Sequence, residues 1–196
     1  MEDIKMKKLL SIVLALAMLL GLAACGSNSA PAEETVPAQQ LPGSALEILE
    51  TIWAGYSDEE KFSVIGGDLG NPVDGAPGSY NIADENITYN LLIPADQIPN
   101  ITEAASMIHM MNANTFTCGV FKLADGVTAA DFGTAMKDAI QSNQWMCGFP
   151  DSLLVCSFGD TYVLAAFGVS DAMTPFEQHL TAAYPGMETI ANEPIA

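Results

Sequence analysis

Four cysteines, two histidines and ten methionines are the side chains with which this 196-residue chain could do thiol, acid–base or soft-metal chemistry, and their spacing decides how much of it is open. With Cys25 set aside, Cys118, Cys147 and Cys156 remain, an odd number that leaves at least one thiol unpaired in an oxidising compartment. Cys147 sits in the stretch WMCGFP, Trp145 to Pro150. A cycling disulfide needs a second cysteine two or three residues on, and Phe149 and Pro150 stand there instead. Three uses stay open: burial as small apolar side chains, which suits the apolar surroundings of Cys118 and Cys156; one bridge among the three; and a thiol-dependent enzyme or redox protein working through Cys147 or Cys156.

Met107, His109, Met110 and Met111, in MIHMM, offer thioethers and an imidazole, ligands that suit copper. On a helix, at 100° per residue, His109 turns away from Met107 and Met110, which favours methionines filling gaps at the edge of a core. Asp68, Asp74, Asp84 and Glu85 could give oxygens to calcium in a calcium-dependent adhesion or stability module, but their spacing lacks the alternation of an EF-hand loop and predicts a solvated loop. No Ser-His-Asp arrangement, zinc-protease motif or phosphate-cradling glycine loop is present. His109 and His179 are the two imidazoles, His179 expected on a helix surface, so acid–base chemistry would fall to carboxylates. These residues call for no metal and no cofactor. Trp145, Met146 and Phe149, with Met107 or Met110 nearby, make an apolar cluster that either caps the end of a core or forms an interaction patch for a protein or small-molecule partner.

Charge removes some partners. The chain carries −18 at neutral pH, with a pI near 4.1 and no arginine. So few cations cannot neutralise phosphates, which excludes nucleic acid, and an anionic membrane surface would repel the chain.

The elements that must position these side chains follow from periodicity. Ser44 and Glu47 form a capping box ahead of Leu46, Leu49, Ile52, Trp53 and Tyr56, predicting a helix that ends near Gly55. A Gly- and Pro-rich stretch runs from Gly66 to Asn86, and Asn86 to Ile93 then reads as a strand. Ile101, Ala104, Ala105, Ile108 and Met111 predict a second helix capped by Asn100, and Thr115 to Leu123 a strand. Thr128 and Asp131 open a third helix with Phe132, Ala135, Met136, Ala139 and Ile140 on one face. Ser152 to Phe158 and Thr161 to Gly168 predict an antiparallel hairpin turning at Gly159-Asp160, and Thr174-Pro175-Phe176-Glu177 opens a last helix that ends near Tyr184. The resulting expectation is an α+β domain over 44–196, with about four mostly antiparallel strands in the order α-β-α-β-α-β-β-α and helices packed on the sheet.

Lys5, Lys7 and Lys8 precede an apolar run from Leu9 to Leu20 and the small residues Ala23 and Ala24, the layout of a secretory signal; Met6 offers an alternative start with a cleaner basic flank than Met1. The run up to Ala24 falls short of the roughly 20 residues that span a bilayer. Leu22-Ala23-Ala24-Cys25, followed by Gly26 and Ser27, resembles the lipobox of bacterial lipoproteins. The resemblance implies that residues 1–25 are a signal peptide, that Cys25 is lipid-modified and becomes the mature N-terminus, and that the protein is held on the extracytoplasmic face of the cell membrane. Residues 26–43, rich in Pro, Ala, Ser and Glu, then read as a tether with a mean reach of about 25 Å. The folded part, from about Ile87 to Tyr184, is similar to uncharacterised lipoproteins of Gram-positive anaerobes in its strand GVFKL, the helix after it and the hairpin LLVCSFGDTYVLAAFG. That likeness implies an outward-facing domain of unassigned role. The expected function is a non-enzymatic binding or interaction domain, with the thiol-dependent enzyme and the calcium-dependent module as alternatives.

Overall fold

The computed structural model describes residues 41–195. The expected signal peptide, Cys25 and the expected tether up to residue 40 lie outside them. Helix α1 (Ala45–Ala54) begins as the sequence predicts: the Ser44 hydroxyl accepts from the Glu47 N–H, while the Glu47 carboxylate accepts from the Gly43 N–H. Its fully buried Ile48, Leu49 and Ile52 each contribute about 1.5–3 kcal/mol by leaving water. The Glu103 carboxylate, far along the chain, accepts from the Ala45 N–H at 2.7 Å, and Leu41 lies against Gly159.

Among the described residues eight strands form one sheet, and every pair in it is antiparallel. They are β1 (Val64–Gly66), β2 (Val73–Asp74), β3 (Gly78–Tyr80), β4 (Ile101–His109), β5 (Phe116–Leu123), β6 (Ser152–Phe158), β7 (Tyr162–Gly168) and β8 (Glu188–Pro194), in the spatial order β2-β1-β4-β5-β7-β6-β8. Strand β3 shares the outer side of β4 with β1: Val64 pairs with His109 at one end of that side and Tyr80 with Ala104 at the other. Helix α3 (Ala129–Ser142) crosses one face between β5 and β6, and α4 (Ser170–Ala183) crosses the other between β7 and β8. One core therefore lies between the sheet and α1 with α4, and a second between the sheet and α3 with the 81–100 segment. Burial on both faces explains why β5, β6 and β7 are almost continuously apolar.

The α+β class with antiparallel pairing is present, but the expectation of about four strands is corrected to eight. Ile101 to His109 is a strand instead of a helix. Its Ala104 to Met107 are all buried because both faces are covered, and a register shift between Ile101 and Glu103 breaks the alternation, so the apolar positions fall at helical intervals by coincidence. Asn86 to Ile93, expected to be a strand, holds the one-turn helix α2 (Ile87–Asn90), because the Asp84 side chain accepts from the Asn86 N–H and its carbonyl from the Ile87 N–H, closing a local turn. Strand β1 runs into the Gly- and Pro-rich stretch at Gly66, β2 and β3 lie inside it, and β8 follows the expected last helix; none of these four was predicted. Helix α4 begins at Ser170, four residues before the predicted cap at Thr174, because Asp151 accepts from both the Ser170 N–H and hydroxyl and supplies the cap from a distant element. The helix starting after Thr128 and the hairpin at Gly159 (φ 57°) stand as the sequence predicts. Among the described residues no helix is long and apolar enough to cross a membrane.

Candidate functional site

At the end of the sheet where β5 begins and β7 ends, the covering layer is incomplete. Helix α3 stops at Asn143, which turns to extended backbone and carries residues 143–147 across the sheet. There Trp145 packs on Phe167 with ring centroids 5.2 Å apart. From the other side α2 approaches, and the chain leaves it with Leu91 and Ile93 both buried. Seating those neighbours puts Leu92 between them at φ 53°, a left-handed conformation that costs of order 1 kcal/mol or more in a residue with a branched side chain. Between these walls lies a groove of about 390 Å³, floored by Ile108, Thr117 and Phe167.

The groove lining contains no Asp, Glu, Lys, Arg or His. Its polar groups are neutral: Asn90, whose amide donates to the Tyr80 hydroxyl at 2.8 Å, and Thr117, Asn143 and Gln144, whose side chains make no hydrogen bond to another described residue. The Trp145 indole N–H is enclosed and also lacks an acceptor among the described residues, a deficit of about 1–3 kcal/mol. Tyr89 and Met146 on the rim are 82% and 87% exposed, and Phe149 beyond them 68%. This end of the molecule therefore combines backbone strain, unmet polar groups and exposed large apolar side chains.

The structure divides the predicted patch. Trp145, Met146 and Cys147 line the groove, Phe149 is exposed beside them, and Met110 is exposed past the end of β4. Met107 is fully buried on the opposite face of the sheet, because the true strand β4 sends it and Ile108 to opposite sides, so it is not part of an exposed patch. Tyr89, Leu92 and Thr117 were not singled out from the sequence; the first two lay in a segment read as a strand.

The other candidates are placed differently. Cys118 and Cys156 are buried in the core under α1 and α4, where burial pushes the Cys118 thiol well above its usual range and the Cys156 thiol up to about 12, favouring the neutral thiol at both. All three described cysteines are free. Cys147 is exposed, but neither histidine lies in its groove to act as a base. The His109 ring stacks on Phe62 at 5.1 Å, its Nδ1 accepts from the Met111 N–H, and burial lowers its pKa. His179, expected at the surface, is half-buried against Tyr56, with ring centroids 4.1 Å apart and its Nε2 3.7 Å from the Glu60 carboxylate.

Among the described residues no three His, Cys, Asp or Glu side chains are grouped to hold a metal ion. Asp68, expected in a solvated loop, is 6% exposed and ties that loop together by accepting from the N–H groups of Gly70, Asn71 and Asn81. Asp84 serves the turn before α2, Asp74 lies on the edge strand β2, and Glu85 is exposed. The chain matches no family model, no curated protein and no solved structure.

Proposed function

We propose that this protein is an exported lipoprotein, anchored through Cys25 on the extracytoplasmic face of the cell membrane, whose folded part is a non-enzymatic binding domain. The basic residues Lys5, Lys7 and Lys8, the short apolar run and Leu22-Ala23-Ala24-Cys25 support the address. A diacylglyceryl thioether at Cys25 supplies two acyl chains, enough for stable attachment where one chain would hold only marginally. The groove between Leu92 and Trp145 carries the binding role: it is of ligand size, rimmed by Tyr89 and Met146, and lined by no base that could activate a nucleophile.

Two experiments test the two halves. Cys25→Ser is expected to leave the protein unprocessed or shed into the medium; a variant that is cleaved yet stays in the membrane pellet through a salt wash overturns the anchor. For the groove, the full chain carrying Cys25→Ser has Cys147 as its exposed described thiol, and modification by dithionitrobenzoate reports whether the groove is occupied. A muramidase digest of Gram-positive cell walls, which offers glycan, peptide and acyl groups together, is expected to slow that reaction. An unchanged rate overturns the groove as the binding site.

A further inference from the structure

The groove also restricts what it can hold. A charged ligand would lose its hydration against a wall that offers no counter-charge, and the surrounding −18 field repels anions before they arrive. What the wall offers is neutral and two-sided. The carboxamides of Asn143 and Gln144 each present donors and an acceptor, and the Thr117 hydroxyl presents both, all without partners in the described residues. Next to them stand apolar surfaces of two kinds: the Tyr89 ring, open to solvent, and the aliphatic and thioether groups of Leu92, Ile108 and Met146.

Aromatic face, free amides and small apolar seats together match one ligand chemistry. A pyranose presents C–H groups on its flat face and neutral hydroxyls round its edge, and an acetamido substituent adds an amide and a methyl group. Resting on the groove reading proposed above, we infer that the ligand is a neutral acetamido sugar, its ring against Tyr89, its acetamido amide on Asn143 or Gln144 and its methyl on the Ile108–Leu92–Met146 surface. An apolar peptide would use the same apolar seats and could meet the carboxamides with its backbone N–H and C=O groups, but its branched side chains lack the flat face of C–H groups that the exposed Tyr89 ring can receive.

The test uses the full chain with Cys25→Ser and the rate at which dithionitrobenzoate modifies Cys147. N,N′,N″-triacetylchitotriose is expected to bind with a Kd of about 1 mM and to slow the reaction about tenfold at roughly ten times that concentration. Cellotriose, which has the same rings without acetamido groups, is expected to give less than about twofold protection at the same concentration. Tyr89→Ala and Gln144→Ala, both at exposed positions, are expected to abolish protection with an unchanged melting temperature. Protection by the wall digest without protection by chitotriose overturns the sugar and leaves the groove standing, whereas protection by neither overturns both. Equal protection by cellotriose overturns the acetamido requirement. Protection by acetyl-Leu-Leu-Phe-amide instead of chitotriose assigns the groove to peptides, and undiminished protection of Tyr89→Ala places the sugar elsewhere; either result overturns the inference.

Discussion

Asp68 shows how a residue chosen for one chemistry serves another. Its carboxylate is mostly buried, and burial alone would raise its pKa, but the N–H groups of Asn81, Gly70 and Asn71 stabilise the charged form and hold it below the usual carboxylate range. A depressed folded-state pKa contributes stability that is present above the unfolded value, near 3.9, and is lost as pH falls through the folded one. Asp68→Asn should therefore lower the melting temperature most at pH 6–7, and the gap to the wild type should close as pH drops below about 4. Melting curves across that range check it. Trp145 and Phe149 separate in the same way. Trp145 leans on Phe167, so Trp145→Ser should cost about 2–3 kcal/mol by chemical denaturation, while the 68% exposed Phe149 should tolerate serine within about 0.5 kcal/mol. The sequence placed these aromatics together but left open which was packed and which was free. It could not find Tyr89, whose exposure depends on a turn set by a side-chain hydrogen bond.

Elements were legible where local chemistry settles them and illegible where a distant partner does. The α1 and α3 caps and the β6–β7 hairpin each depend on residues within a few positions of one another. Strand β4 depends on layers covering both of its faces, α4 begins on the Asp151 carboxylate, and β8 owes its existence to pairing with β6, since Glu188 to Pro194 is a polar edge segment with little intrinsic strand character. The Gly- and Pro-rich stretch has a packing explanation. A Cβ on Gly66 would overlap backbone atoms of Ala76, Pro77 and Gly78, so β1 and β3 lie against each other there only because neither glycine has a side chain. Gly66→Ala should cost about 1–3 kcal/mol and should loosen the β1–β3 end of the sheet ahead of β5–β7. Hydrogen exchange of the Ser106 and Ile108 amides, which face β3 and β1, read against those of β7, measures this.

The whole molecule carries far more negative than positive charge, and among the described residues lysines meet carboxylates at Lys61 with Asp58, Lys122 with Glu103 and Lys137 with Asp138. Self-repulsion of this kind is screened by salt. Raising sodium chloride from about 10 to 500 mM, which shortens the screening length from about 30 Å to a few ångströms, should raise the melting temperature, and a flat or falling trend would show that the surface charges are too well dispersed to matter. The last consequence comes from where residues 41–45 join the sheet. They enter beside Glu103 and Gly159, at one pole of the strands, whereas Ile108, Thr117 and Phe167, which floor the groove, belong to the opposite pole. At roughly 3.3 Å per residue the two poles are about 20 Å apart. On the anchoring proposed above, the domain would take up its tether at one end of the strands and open its groove at the other, so a partner reaching the groove would not have to pass the point of attachment.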